Sequence, residues 1–212
     1  MSKNNLQEEI WAGKFGKEYT KRNFLYTKEV DELYEKLFGL TRTGLNKEFV
    51  GGLDRSIKIL EVGCNIGAQL VFFQKMGFKN LYGIETNKEA IEFSKAETKG
   101  INVIYGSALD LPFKDNYFDL VFTSGVLIHI SPSNIGKAMK EIYRCSKKYI
   151  WGFEYYADKY TEIVYRGNKN ILWKTNFPKL YKSYFKKLKL IKEKKIKYLG
   201  DENTDVMFLL KK

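Results

Sequence analysis

The sequence has few of the residues that build metal centres and cross-links. Among its 212 residues there are two cysteines, Cys64 and Cys145, and one histidine, His129. The cysteines are far apart in the chain and neither has further metal-ligating residues beside it, so we expect reduced thiols. A zinc or iron site needs a cluster of such ligands. The composition therefore predicts a protein without a metal ion.

Export and membrane signals are missing as well. The chain has no charged-then-apolar leader, no cleavage site and no apolar run long enough to cross a bilayer. We expect a soluble, cytoplasmic protein with no membrane partner. The length fits a single α/β domain over residues 1–212 with no second domain.

Acidic residues are outnumbered: 37 Lys and Arg against 25 Asp and Glu give a net charge of +12. Many of the lysines lie between residues 182 and 197. A basic patch can bind nucleic acid, but lysines are scattered along the whole chain and no recognisable RNA- or DNA-binding module accompanies them. We expect a solvated cationic face and no nucleic-acid partner. The sequence does not indicate an oligomeric state.

Residues 57–76 contain the pattern that most clearly indicates a binding site. The apolar, β-branched segment 57–62 runs into a small-residue turn, and residues 66–76 then follow a helical spacing, which predicts a strand, a tight loop and a helix. Gly63 and Gly67 allow the loop to turn sharply and a ligand to lie against bare backbone. Glu61 ends the strand and would face that ligand. The unit indicates a nucleotide site, although glycine-containing turns of this kind also occur in α/β proteins generally.

A second acid follows the next predicted strand. Residues 81–85 read as a buried strand that ends in Glu85, about 20 residues past the glycine loop, where Rossmann-type folds hold two ribose hydroxyls. Asn87 is expected to cap the following helix, so Glu85 could instead only lie near a helix start. The dinucleotide fingerprint requires a middle glycine, and Asn65 or Ile66 occupies that place, which disfavours NAD.

A third motif, GSALDLPFKDNYFDLV at residues 106–121, completes a recognisable set. It resembles the G-D-A-x-x-L-P-F-x-D-x-x-F-D-x-V run of the class I S-adenosylmethionine (SAM) methyltransferases, and Glu61 before G-x-x-x-G resembles motif I of that family. The resemblance implies a Rossmann-like α/β sandwich of seven strands with the last strand reversed. It also implies SAM as cofactor and S-adenosylhomocysteine as product, with no metal. Ser107 departs from the family pattern, since an aspartate that accepts from the adenine amine is common there.

The N-terminus narrows the resemblance. EIWAGKFGKEYTKRN at residues 9–23 is similar to the W-A-G-x-F-G-x-x-Y-x-x-R-N opening of pseudaminic acid biosynthesis-associated methylases, in which Asn65 also has a counterpart. The resemblance implies a small-molecule acceptor, a nonulosonic or amino sugar or a nucleotide-linked sugar, methylated on nitrogen or oxygen. Aromatic residues at helical spacing in this opening predict a lid over the cofactor cleft, or simply docking of the helix on the core.

The resemblance and these patterns together give a set of candidate site residues. Expected in contact with the cofactor are Tyr19, Arg22, Glu61, Gly63, Cys64, Asn65, Gly67, Glu85, Thr86, Ser107, Ala108, Leu109 and Gly125. Expected in contact with the acceptor are Trp11, Phe15, Asn23, Tyr156, Arg166 and Lys174. Arg22 could pair bidentately with the SAM carboxylate or an anionic substrate.

His129 is the first candidate for a catalytic base, because its unperturbed pKa of about 6.5 suits proton transfer at neutral pH. Many relatives have a V-L-x-H sequence here, so the imidazole could instead brace the loop. Glu154 and Tyr155, at the carboxyl edge of the predicted fifth strand, are the other catalytic candidates. Ser131 or Ser133 is expected to cap the helix that follows His129.

Four regions are expected within the domain: an N-terminal helical lid over 1–50, a SAM-binding core over 57–153, an acceptor-site insertion over 154–187 and C-terminal strands over 188–212. Strands are predicted at 118–123, 148–153, 188–198 and 206–210. Two other functions remain open. One is an RNA or protein methyltransferase that uses the basic C-terminal third, and the other is a SAM-binding protein without catalysis.

Overall fold

A computed structural model describes residues 6–25 and 27–212. The helices are α1 (Leu6–Ala12), α2 (Lys14–Arg22), α3 (Thr27–Phe38), α4 (Arg42–Val50), α5 (Ala68–Lys75), α6 (Lys88–Glu97), α7 (Ile135–Cys145) and α8 (Phe177–Tyr184). The strands are β1 (Lys58–Val62), β2 (Asn80–Glu85), β3 (Ile101–Tyr105), β4 (Phe118–Ser124), β5 (Ser146–Tyr155), β6 (Thr161–Glu162), β7 (Trp173–Lys174), β8 (Lys189–Lys197) and β9 (Thr204–Lys211). A short 3₁₀ turn, Leu127–His129, follows β4.

Seven of the strands form one sheet in the order β3-β2-β1-β4-β5-β9-β8. The strands from β3 to β5 are parallel, whereas β9 is antiparallel to both β5 and β8. The expected Rossmann-like sandwich with a reversed final strand is confirmed. The strand order reverses direction between β1 and β4, and open α/β sheets bind ligands at the carboxyl ends of strands at such a point.

The sheet has an apolar core on each face. Leu60 and Val62 of β1 pack with α7 and α8 residues on one side, while Ile59 packs on the other side with α4 and α5. Parallel strands covered on both faces are largely apolar, which explains the burial of Ile59 and Leu60 after the first residue of β1. Glu61 interrupts this run and is nevertheless only 2% exposed. A carboxyl group at such a place needs a reason beyond packing.

The basic C-terminal segment forms β8, which is an edge strand of the sheet. Lys192 and Lys194 extend to Glu48 of α4, with Nζ to carboxylate distances of 3.1 and 2.7 Å. Charged side chains, lysine especially, keep an exposed edge from pairing with another chain. This position gives the lysines a structural role that does not require nucleic acid.

The insertion between β5 and β8 has short elements that periodicity does not detect. Strands β6 and β7 have two residues each and pair with one another. Asn176 caps helix α8, and its side chain accepts from the backbone N–H of Lys179 at 3.0 Å. Two-residue strands are too short to show an alternation. The division of the chain into four functional regions stays a prediction.

One expected helix cap is wrong. Helix α7 begins after Asn134 without a side-chain cap. The hydroxyls of Ser131 and Ser133 lie 2.9 Å from each other, and the backbone N–H groups of Asn134 and Ile135 donate to the Ser131 carbonyl oxygen. A backbone turn therefore satisfies the donors that a serine side chain was expected to bind. The cap at Asn87 is confirmed, since its side chain accepts from the N–H groups of Glu89 and Ala90.

Within residues 6–25 and 27–212, no helix combines the length and apolar character that crossing a bilayer requires. The same part of the chain has no group of three or more potential metal ligands close together.

Substitution of a glycine in the centre of the sheet tests this packing. Gly152 of β5 lies opposite Phe208, and a Cβ added there would be 2.2 Å from the Phe208 ring. We expect Gly152→Ala to lower the free energy of unfolding by about 1 to 3 kcal/mol through overpacking. Gly52→Ala is the matched control, because its added Cβ meets no atom within 4 Å, and it should change stability by less than about 0.5 kcal/mol. Urea unfolding of both variants measures the difference, and equal effects would contradict the packing described.

Candidate active site

A cavity of about 420 Å³ lies at the carboxyl ends of the parallel strands. Its walls come from the segments that follow β1, β2, β3 and β4, from the end of β5, and from α1, α2 and α3, which cover it. Cavities of this size hold small organic ligands. The site is therefore at the place that the reversal of strand order predicts.

The loop after β1 is built from left-handed backbone. Gly63, Asn65 and Gly67 have φ angles of 72°, 48° and 79°. Asparagine tolerates this region better than other residues with a side chain, which explains why Asn65 can stand where a glycine is more usual. A Cβ on Gly63 would lie 2.7 Å from a methyl group of Val126. The loop thus has to approach the segment after β4 with bare backbone.

Glu61 lines the cavity, and its Oε2 has no hydrogen-bond partner among the described residues. Burial raises the pKa of this carboxyl well above its usual range; Arg42 opposes that change and Glu85 adds to it. A buried carboxylate without a partner is costly. The amino group of a SAM methionine end would supply the missing donor, so this residue fits the cofactor that the sequence predicts.

Glu85 connects two strand ends. Its carboxylate accepts from the backbone N–H of Asn65 at 2.9 Å, of Thr86 at 2.7 Å and of Asn87 at 2.9 Å. It also lines the cavity, one strand away from Glu61. Oε1 accepts from Thr86 and Asn87, whereas Oε2 accepts, among the described residues, only from Asn65. A carboxylate oxygen has two lone pairs, so Oε2 can accept from a ribose hydroxyl while it keeps the glycine loop in place.

Ser107 contacts an acid that the sequence did not indicate. Its hydroxyl accepts from the backbone N–H of Leu109 at 3.0 Å and donates to the carboxylate of Glu8 in α1. Glu8 lines the cavity next to Ser107, Ala108 and Leu109. The carboxylate of Glu8 is therefore present beside Ser107, where the resemblance led us to expect an aspartate at position 107 itself. No local motif marks Glu8, because the contact joins residues that are far apart in the chain.

Helices α1 and α2 make specific contacts with the loops that follow β1 and β4. The Thr20 hydroxyl is 2.9 Å from Asn65 Oδ1, and the Trp11 ring centroid is 4.3 Å from that of His129. Phe15 and Tyr19 pack edge to face against Trp11. The aromatic residues thus dock the helices on the core, and Trp11 and Tyr19 also line the cavity. The docking interpretation therefore applies to Trp11 and Tyr19, and the lid stays a prediction.

The imidazole of His129 is partly buried and neutral. Its Nδ1 donates to the carbonyl oxygen of Ile171 at 2.8 Å, and burial lowers the pKa of His129 to about 4. Nε2 then has a free lone pair, but a group with so low a pKa holds a proton weakly. The bracing contact with Ile171 is the clearer feature of this side chain.

Glu154 lies behind the cavity wall. It is completely buried, and its carboxylate accepts from the backbone N–H groups of Val126 at 3.3 Å and Ile128 at 3.5 Å. Burial raises the pKa of Glu154 to about 7. Tyr155, the next residue, does line the cavity, and burial raises the pKa of its phenol. Of these two, only Tyr155 is in a position to contact a ligand.

Most candidate residues converge on the cavity. Of the candidate cofactor contacts, Tyr19, Glu61, Gly63, Cys64, Asn65, Glu85, Thr86, Ser107, Ala108, Leu109 and Gly125 line it, together with Trp11, Asn23, His129 and Tyr155. The candidates that do not line it are Phe15, Arg22, Gly67, Glu154, Tyr156, Arg166 and Lys174. Arg22 is half-exposed and 4.0 Å from Glu18 of its own helix, and Lys174 bonds to Asn203. Residues that the sequence did not indicate line the far end, among them Tyr34, Phe38, Tyr198 and Asp205.

Residues 60–149 match a family described as "Methyltransferase domain". A phosphoethanolamine N-methyltransferase from Plasmodium falciparum is 25% identical over 135 residues, which are 59% of this chain and 51% of that protein. Cycloartenol-C-24-methyltransferase 1 from Oryza sativa is 30% identical over 102 residues, 45% of this chain and 29% of that protein. The matches span about half the length of these curated relatives, or less.

A solved SAM-dependent methyltransferase from Methanosarcina mazei superposes with a TM-score of 0.64 at 16% identity, covering 76% of this chain and 95% of that one. At that identity the likeness concerns the fold. The sequence matches are confined to part of the chain, and the two curated relatives differ in the acceptors that their names give. The comparisons therefore bear on the cofactor half of the site and leave the acceptor to the chain's own residues.

The buried carboxyl of Glu154 has a consequence for stability. Its pKa rises from the usual 4.5 to about 7 on folding, so the folded protein holds an additional proton between these values and its stability falls as the pH rises from 4.5 to 7. We expect wild type to lose unfolding free energy relative to Glu154→Gln over that interval, by up to about 1.4 kcal/mol per pH unit. Urea unfolding at stepped pH measures it. Glu97→Gln, at an exposed site on α6, should leave the slope unchanged, and equal slopes for both variants would contradict the burial of Glu154.

The strand order, the glycine loop between Glu61 and Glu85, and the matched segment agree with one another. Residues 60–149 match the methyltransferase domain family, and the fold is similar to that of a solved SAM-dependent methyltransferase.

Proposed function

We propose that the protein transfers the methyl group of SAM to nitrogen or oxygen of a small polar metabolite, a nonulosonic or amino sugar or a nucleotide-linked sugar, in the cytoplasm. The observation that carries the SAM part is the position of Glu61 and Glu85 on one cavity at adjacent strand ends. Two acids with a glycine loop between them suit a ligand that has a cationic end and a ribose.

When bound, SAM supplies a methyl group on a sulfonium, which is a good leaving group. The protein then has to orient the acceptor and keep out water. In our proposal Glu61 accepts from the methionine amino group and Glu85 from the ribose hydroxyls. Trp11 and Tyr19 cover the cavity and exclude solvent, which fits their packing against each other and the contact of Trp11 with His129.

Glu8 has a part in this proposal as well. An adenine amine needs an acceptor, and Ser107 offers a neutral hydroxyl where relatives use a carboxylate. The Glu8 carboxylate, hydrogen-bonded to that hydroxyl, supplies the charge from the lid. Cofactor binding would then hold α1 in place, because one side chain contacts both the ligand and the core.

The small size of the acceptor is supported by the site itself. The cavity is covered by helices and its volume is about 420 Å³, which suits a metabolite better than a folded RNA or protein. A phosphoethanolamine N-methyltransferase among the relatives is named for a small polar acceptor. The sugar comes from the resemblance of residues 9–23 and has no support from the comparisons.

A SAM-binding protein without catalysis is the second candidate. It is favoured by the low pKa of His129 and by the position of Glu154 behind the wall, which weaken two of the three expected catalytic groups. An RNA or protein substrate would need the lysines of β8, two of which are paired with Glu48.

Calorimetric titration with SAM tests the cofactor assignment. We expect wild type to bind and Glu85→Ala to lose affinity on the order of 100-fold, since charge-assisted hydrogen bonds to the ribose are removed and the loop loses its anchor. Glu92→Ala is the control, because Glu92 is an exposed acid on α6 that pairs with Lys95, and it should bind like wild type. Circular dichroism checks that both variants are folded. Absence of heat with wild type would refute the assignment, and binding without turnover on any metabolite pool would leave only the second candidate.

A further inference from the structure

The cavity continues past the cofactor half into a pocket between α3, the end of β5 and the start of β9. We call it the aromatic lobe and define it by Tyr34, Phe38, Phe153, Tyr155, Tyr198 and Asp205. The rings pack against one another, with centroids 5.1 Å apart for Tyr34 and Phe38 and 4.5 Å apart for Phe38 and Tyr198. Tyr155 and Asp205 are direct partners in the β5–β9 ladder. The lobe therefore lies at the acceptor side of the sheet, beside the crevice.

Asp205 is the one acid of this lobe and is unusually placed. It is 1% exposed, and its Oδ2 accepts from the Tyr198 hydroxyl at 3.2 Å. Asp205 is one of the residues that line the cavity, and its buried Oδ1 has no hydrogen-bond partner among the described residues. Burial raises the pKa of Asp205 to about 7. An unpaired buried carboxylate costs several kcal/mol in an apolar setting, so a bound cation would stabilise it.

The protein's own cations do not meet this need. Arg42 is buried nearby, and its charge lowers the pKa of Asp205. Its Nε donates to Asn46 and its Nη1 to Tyr34, both within 2.9 Å, and its Nη2 has no hydrogen-bond partner among the described residues. Lys174 lies 5.3 Å from the ring of Tyr155 and bonds to Asn203. Neither cation is within 4.0 Å of the Asp205 carboxylate in the described part of the chain. Glu154, which is also buried, adds negative charge.

We propose that the acceptor is a primary or secondary amine, bound as its ammonium in the aromatic lobe with an N–H donated to Asp205 Oδ1. A hydroxyl could donate to the same atom, but only an ammonium would bring a positive charge into direct contact with the carboxylate. Aromatic faces attract ammonium groups as well, and this lobe has Tyr and Phe rings around its acid. The inference rests on the proposed methyl transfer and narrows its substrate class.

Methyl transfer to nitrogen then has a proton acceptor in place. The ammonium gives one proton to Asp205, which becomes a carboxylic acid, and the freed nitrogen lone pair forms the bond to the methyl carbon. The carbon–sulfur bond breaks with its electron pair remaining on sulfur. The products are a methylated ammonium and S-adenosylhomocysteine. Asp205 thereby takes the role for which His129 is poorly suited.

The test uses SAM labelled in its methyl group, the full-length protein and a small-molecule extract of cells that naturally produce it. One half of the extract is first treated with acetic anhydride in mild buffer, which acetylates amines in preference to hydroxyls. We expect labelled product from the untreated half only, retained on a cation exchanger, with the label on nitrogen by fragmentation in the mass spectrometer. Asp205→Asn should lower labelling at least about 10-fold, the loss of a charged hydrogen bond, and keep the SAM affinity of wild type.

Glu202→Gln is the matched control, because Glu202 is an exposed acid in the β8–β9 connection, and it should label like wild type. Labelled product that survives acetylation, or a label on oxygen or carbon, would overturn the amine and leave methyl transfer intact. Full activity of Asp205→Asn would overturn the role of Asp205. Failure of wild type to bind SAM, or binding with no labelled product in either half, would remove the proposed function and this inference with it.

Discussion

The hydrogen bonds of the Glu85 carboxylate hold the site together. By accepting from Asn65 after β1 and from Thr86 and Asn87 after β2, this group ties the ends of two adjacent strands. The left-handed loop can then stay close to the segment after β4, where Val126 leaves room for no side chain on Gly63. Its position relative to Glu61 follows from the parallel register of β1 and β2. The cofactor half of the cavity depends on this arrangement.

The features that the sequence predicted are those that depend on neighbours in the chain. The strand, loop and helix around Gly63, the strand ending at Glu85 and the Asn87 cap follow from local periodicity and turn chemistry. Glu8 reaches Ser107 from a distant segment of the chain. Asp205 likewise reaches the cavity from the C-terminal strand β9. Nothing in their local sequence distinguishes them from other acids. The two-residue strands β6 and β7 were beyond prediction for a related reason, since pairing across the insertion defines them.

The prediction of a serine cap on α7 failed because a backbone turn competes with the side-chain cap. A serine before a helix is a common cap, and both Ser131 and Ser133 were available. The 3₁₀ turn after β4 brings the chain into a backbone turn at Ser131 instead, and the two hydroxyls bond to each other. The same turn exposes its N–H groups to the buried Glu154. Glu154, expected to be catalytic, thus supports the loop that shapes the pocket. Among the cavity residues, Glu61 and Asp205 each have a buried carboxylate oxygen without a hydrogen-bond partner in the described part of the chain.

The docking of α1 and α2 also affects the kinetics of exchange. Helix α1 contacts Ser107 through Glu8 and His129 through Trp11, so it bridges the segments after β3 and β4. Helices α1 and α2 both line the cavity and would cover a ligand inside it. Under the proposed methyl transfer, undocking of these helices would limit how fast spent cofactor departs, and the slow step would be a motion of the N-terminus instead of a chemical event.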